Sequence, residues 1–244
     1  WTEDMIKSKG ILGDMYRVWG DGKQMAEGDF TDYFGLSGFT TEELVNMGYW
    51  VWSPPQPKGN FISEGDTPCY LNLIGNGLRA FEAQEYGGWG GRRKTLSEQE
   101  KSDGFTAPFA MRAVKDAVLP AFVSDIQNDF AVRMAWSVTP EFDAVNHNPS
   151  VSGPYEISAA PGETVRIKAK VSDPDGDAVA CNWIQYKVGS YPGDVLIEGA
   201  DTPTPSVTVP EDAVAGDTIH VVLTAQDNGE PCLVKYHRTV ITVK

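Results

Sequence analysis

The sequence predicts two kinds of structure in succession: an α/β region over residues 1–145, then an all-β, immunoglobulin-like sandwich over residues 146–244. Three observations predict this order. Early in the chain, apolar residues recur at helical spacing, as in Met5, Ile6, Ile11, Leu12, Met15, Tyr16 and Trp19. Late in the chain they alternate. Val165, Ile167, Ala169 and Val171 are separated by Arg166, Lys168 and Lys170, and Ile219, Val221, Leu223 and Ala225 repeat the pattern. Between the two lies Asp143-Ala144-Val145-Asn146-His147-Asn148-Pro149, a polar stretch that reads as a linker.

The first apolar stripe predicts an amphipathic helix over residues 1–20, interrupted by Gly10 and Gly13 and ended by Gly20-Asp21-Gly22. Residues 28–38 read as loop. Thr40-Thr41-Glu42-Glu43-Leu44 is a helix start, with a hydroxyl cap and acids in the first turn, and Gly48 is its expected end. Tyr49-Trp50-Val51-Trp52 then reads as extended, before a proline-rich loop. Pro68 opens a short helix to Gly75, and Gly87-Gly88-Trp89-Gly90-Gly91 forms a loop around an indole. Residues 107–137 read as the strongest helical segment, divided by Pro120. In the sandwich, short strands are separated by Pro-Gly, Asp-Gly and Asn-Gly turns, and Trp183 suits a buried indole on the third strand.

Composition narrows the function. The net charge of -14 and the lack of a basic cluster argue against nucleic acid as partner. No apolar run is long enough to span a bilayer. The chain begins at Trp1 inside an expected helix, so it reads as a fragment or processed product, and any targeting segment would precede it. Three cysteines make no disulfide framework; Cys181 with Cys232 is the one sensible pair.

The stretch that draws the chemistry together is Ser63-Glu64-Gly65-Asp66-Thr67-Pro68. Two acids flank a glycine, so both carboxylates can turn toward one point, to ligate a hard cation or orient a sugar hydroxyl. Asp66 or Thr67 can equally cap the helix that Pro68 opens. Trp52 and Trp89 offer ring faces to a base or sugar, or pack as core. Asn128, in Gln127-Asn128-Asp129, either caps a helix or reaches the same pocket. In the sandwich, Asp173, Asp175 and Asp177 occupy the turn between the second and third strands, and Asp227 the turn after the sixth. An immunoglobulin-like topology brings these two turns to one end, where crowded carboxylates favour a bound calcium ion or remain solvated turn formers.

The acidic motif, with Asn76-Gly77-Leu78, Gly87-Gly88-Trp89-Gly90-Gly91-Arg92, Gln127-Asn128-Asp129-Phe130-Ala131 and Asp173-Pro174-Asp175-Gly176-Asp177, resembles the Sde182-type family. Its members join a nucleoside-hydrolase-like domain to a C-terminal immunoglobulin-like domain, and some carry the label of cellulose-binding protein. The resemblance implies that residues 1–145 are the C-terminal part of the nucleoside-hydrolase-like domain, in a secreted or periplasmic protein. It implies a calcium-assisted glycosyl hydrolysis with Asp66 as a distant calcium ligand and Glu64, Trp52, Trp89 and Asn128 near a nucleoside or carbohydrate. The cluster of aspartates that this mechanism needs is not in these residues; the competing expectation, drawn from aromatics that read as surface residues, Trp50, Trp52, Tyr86, Trp89 and Tyr191, is a carbohydrate-binding protein without catalysis.

Overall fold

The computed structural model describes residues 2–16, 25–26, 38–53, 68–95, 111–114 and 122–244. The chain forms two compact units, residues 1–66 and 67–244.

In the first unit a π-helical turn over Thr2–Lys7 precedes α1, Gly10–Met15. The two are separate because Gly10 takes a positive φ of 63°, which ends the first turn and starts the second. Ile6 is buried, whereas Ile11, Leu12 and Met15 on α1 are exposed. One amphipathic helix over this stretch is therefore replaced by two short pieces. The helix start at Thr40 is as read: α2 spans Thr41–Asn46 under a reciprocal capping box between Thr40 and Glu43, and Gly48 follows at a φ of 89°. β1 (Met25–Ala26) and β2 (Val51–Ser53) pair antiparallel, and Val51 packs on buried Leu44.

The second unit opens with a 3-10 helix, Pro68–Leu73, and the glycine loop that follows. β3 (Arg92–Thr95) pairs antiparallel with β4 (Met111–Val114). A strand at residues 111–114 corrects the expected helix over 107–137. Four residues there form cross-strand pairs with β3, a long-range partner that local spacing does not reveal. Among the described residues of that stretch the helix is α3, Val123–Trp136, beyond Pro120.

The remaining strands are β5 (Ser150–Ser152), β6 (Glu156–Ala159), β7 (Thr164–Arg166), β8 (Lys170–Ser172), β9 (Ala180–Gln185), β10 (Leu196–Glu198), β11 (Ser206–Thr208), β12 (Thr218–Gln226) and β13 (Val234–Val243). They form a sheet of order β10-β11-β7, a sheet of order β6-β13-β12-β9 and a separate β5-β8 pair. The two larger sheets share one core. Val165 and Val207 come from one side, and Trp183, Ile219, Val221, Leu223, Ala225, Ile241 and Val243 from the other. Trp183 is buried and donates its indole proton to Thr202 O at 3.0 Å, as the sequence pattern requires of a buried indole. Cys181 and Cys232 are both free thiols.

The far face of the four-stranded sheet is also covered. Val222 on β12 and Val234 and Tyr236 on β13 pack with Leu78, Trp89, Phe122 and Tyr186. The unit is thus layered: three-stranded sheet, four-stranded sheet, then the glycine loop and the start of α3.

Candidate functional site

Two constellations hold the polar chemistry of the second unit. One lies where the linker meets the acidic turns. Asp173 Oδ1 accepts from the backbone N–H of Asp175 at 2.8 Å and of Asp177 at 3.2 Å, which folds Asp-Pro-Asp-Gly-Asp into a tight turn. Its other oxygen, Oδ2, is buried without a hydrogen-bond partner. One carboxylate oxygen from each of Asp173, Asp175 and Asp177 lies within 4.8 Å of the others. Two oxygens facing each other across a calcium ion at about 2.4 Å are separated by a similar distance.

The two turns meet. Asn228 Oδ1 accepts from Ala178 N at 2.8 Å. Asp227, 4% exposed, accepts from Leu233 N at 2.8 Å and Gly229 N at 3.1 Å with one oxygen, and from Asn146 Nδ2 at 3.2 Å with the other. Burial pushes the Asp227 carboxyl up against the pull of those donors, and the charge of Asp173 adds to the rise. With both oxygens bonded, Asp227 braces the turn and stands outside the three-aspartate group.

Linker residues build the rest. His147 donates its backbone N–H to Asp175 Oδ2 at 2.7 Å, and its Nδ1 lies 3.1 Å from Oδ1 of the same carboxylate. Its ring is stacked on Phe142, with centroids 3.8 Å apart, and on Trp136 at 5.2 Å. Phe142 is 55% exposed, so the stack keeps an open aromatic surface. Beside it is a pocket of about 310 Å³ lined by Asp143, Asn146, Asp175, Asp177, Gly229 and Glu230, among others. Carboxylates and an amide accept from hydroxyl groups, and an aromatic face accepts the C–H face of a sugar ring, so this corner has the groups that a saccharide needs.

The second constellation is internal. Arg238 on β13 is fully buried and donates to the carbonyl oxygens of Leu78 at 2.7 Å, Tyr86 at 3.0 Å and Gly87 at 3.1 Å. Its guanidinium also lies over the rings of Tyr186 and Tyr86, at 4.8 and 5.0 Å. Asn72 fastens the same loop, accepting from Gly90 N at 2.8 Å and donating to Gly91 O at 2.9 Å.

Of the residues singled out from the sequence, Glu64 and Asp66 lie outside the described residues, as does the side chain of Trp52 on β2. A calcium role for Asp66 therefore rests on the family resemblance alone. Trp89 is 1% exposed. It donates to Tyr236 Oη at 3.4 Å, and Tyr236 in turn donates to Asp125. Gly88, beside Trp89, serves packing: a Cβ there would press on Ala80 and Asn72. Asn128 donates to Cys232 O at 3.0 Å and ties α3 to the segment before β13. Of the aromatics that read as surface residues, Trp50 is exposed but Tyr191 is buried. Neither the ring stack nor Arg238 is legible in the sequence. A histidine in a linker and an arginine on a strand carry no local signal of their partners.

A mixed α/β part continued into a β-sandwich, with a pocket where linker and sandwich meet, defines the class of this chain. Residues 1–93 match the family model described as "Cellulose-binding Sde182, nucleoside hydrolase-like domain". Residues 164–243 match "Cellulose-binding protein Sde0182, C-terminal domain". Both models describe Sde182-type proteins, and the chain matches the two of them in order, each over about a third of its length. Among solved structures it is similar to a nucleoside hydrolase-related hypothetical protein from Saccharophagus degradans that is associated with carbohydrate metabolism, at 27% identity and a TM-score of 0.71. That match covers 100% of this chain and 53% of the other, so the chain spans about half the length of its structural relative. A PKD domain from the KIAA 1837 protein (19% identity, TM-score 0.29) aligns over 39% of this chain and 84% of its own. The M3 domain of titin (16% identity, TM-score 0.25) aligns over 39% of this chain and 96% of its own. Neither score bears on the reading. No curated protein matches the chain.

Proposed function

We propose that this chain is a carbohydrate-binding portion of a nucleoside-hydrolase-like protein, taking a neutral polysaccharide such as cellulose. The observation that carries the reading is the match along the whole chain to a protein associated with carbohydrate metabolism. The names of both matching domain models support it. The ring stack ending at Phe142, beside the pocket of Asp143, Asn146, Asp175, Asp177 and Glu230, is the proposed contact. An extracytoplasmic location is part of the proposal, because an insoluble polysaccharide is met outside the cell.

The test is co-sedimentation of the full chain with cellulose, with calorimetry on soluble cello-oligosaccharides. Wild type is expected to bind, and Phe142→Ala to bind about 5- to 10-fold more weakly, the scale of one aromatic contact. No binding by wild type, or equal binding by the variant, overturns the site.

A second reading, calcium-assisted glycosyl hydrolysis, is favoured by the match of residues 1–93 to a nucleoside-hydrolase-like domain. On that reading Asp66 is a metal ligand, and Glu64 and Trp52 contact the substrate. Turnover of nucleosides or aryl-glycosides with and without calcium decides it. Calcium on Asp173, Asp175 and Asp177 is a separate proposal, supported by their mutual spacing and the unpartnered Asp173 Oδ2. Calcium at about 100 times its dissociation constant would add roughly 2.7 kcal/mol of stability to the full chain. Coincident melting curves in calcium and chelator leave these acids as turn formers.

A further inference from the structure

We infer that the loop from Asn76 to Arg92 is a pH-sensitive latch, held on the sandwich through Arg238 and His220 and released when His220 takes up a proton. Arg238 completes its set of acceptors with His220 Nδ1, 3.1 Å from Nη1. Among the described residues no carboxylate bonds this buried guanidinium; its partners are three carbonyl oxygens and one imidazole. For Nδ1 to accept, the imidazole must be neutral with its proton on Nε2.

A second proton converts that acceptor into a donor and sets two cations side by side in a buried site, where their repulsion is strong. The relief falls on the loop. β12 and β13 are fixed to each other by pairing along the whole of Thr218–Gln226, so His220 and Arg238 cannot separate without breaking a sheet. The three carbonyls that hold Arg238 all belong to the loop, as does Tyr86, whose ring meets His220 edge-on at 4.8 Å. Facing His220 are Arg238 from β13 and Arg79 and Tyr86 from the loop, while Glu82 from the loop and Tyr186 from the segment after β9 act on Arg238. Arg79 is itself paired with Glu82 at 2.7 Å and Glu156 at 2.8 Å, so Glu82 is committed to that pair.

Burial pulls His220 from an ordinary value of 6.5 to about 4, and the charges of Arg238 and Arg79 add to the drop. An imidazole freed by loop release returns toward its ordinary value. Release therefore becomes about 20-fold more favourable between pH 7 and pH 5. The inference is independent of the carbohydrate reading, since it concerns the attachment of the loop and not its ligand.

The experiment is amide hydrogen exchange of peptides spanning residues 76–92 in the full chain, corrected for the intrinsic pH dependence of exchange. In wild type the opening equilibrium is expected to rise about 20-fold from pH 7 to pH 5, and in His220→Gln to change less than about twofold. Flat wild-type protection, or a variant that follows wild type, overturns the latch. Should His220→Gln fail to fold, the imidazole resonances of wild type decide. His220 must titrate well below 6.5 together with the loop amides. An ordinary midpoint, or loop amides that do not follow it, refutes the inference.

Discussion

Replacing Trp89 with alanine separates packing from binding at the residue where the sequence leaves both open. The indole is 1% exposed and packs with Leu78, Phe122, Tyr186, Val222, Val234 and Tyr236. Truncating a buried tryptophan costs about 3–5 kcal/mol in lost burial and residual cavity. The edge-on contact with Tyr236, at 6.3 Å and 86°, contributes about 1 kcal/mol of that. A domain of this size is stable by about 5–15 kcal/mol, so Trp89→Ala removes a large share without necessarily unfolding the chain. Urea unfolding of the full chain, followed by circular dichroism, gives the loss directly. Cellulose binding by the folded fraction in the absence of urea is expected to match wild type. A stability change below about 1 kcal/mol combined with lost binding would refute the packing role and make Trp89 a ligand platform.

Three further outcomes follow from the same packing. Arg238→Met is expected to cost about 3–5 kcal/mol, because it strands the carbonyls of Leu78, Tyr86 and Gly87 in a buried site; urea midpoints within error of wild type would contradict this. A chain cut to residues 150–244 bares Tyr186, Val222, Val234 and Tyr236, and is expected to bind a hydrophobic dye or associate, which fluorescence and sedimentation detect. Acidification should weaken the fold through His220: the unfolded imidazole gains its proton near pH 6.5 and the folded one only near pH 4, so about 3 kcal/mol is lost progressively as pH falls across that window. Urea midpoints at pH 7, 5.5 and 4.5 check the sign, and His220→Gln should flatten the fall.

The sequence by itself determined what depends on neighbours along the chain. The capping box at Thr40 and Glu43, the turn at Gly48 and the turn at Asp173–Asp177 are local hydrogen-bond arrangements, written in residues three or four apart. Period-two alternation revealed the inward side chains of β7 and β12, Val165, Ile219, Val221, Leu223 and Ala225, because a strand with one buried face must alternate. The motifs around Trp89 and Asp173 carried the family resemblance.

Tertiary structure alone decided what the other faces do. Val222 and Tyr236 occupy positions that alternation assigns to the side away from the sandwich core, yet the glycine loop and α3 bury them. Residues 111–114 became a strand because β3 pairs with them, and Ile11 and Met15 stayed exposed although their spacing suits a buried stripe. The pocket rests on the same kind of information. His147 reaches Asp175 across 28 positions, and Asn146 reaches Asp227 across 81. Arg238 meets Leu78 across 160. Spacing encodes which way a side chain points from its own backbone; it does not encode which distant backbone arrives to meet it.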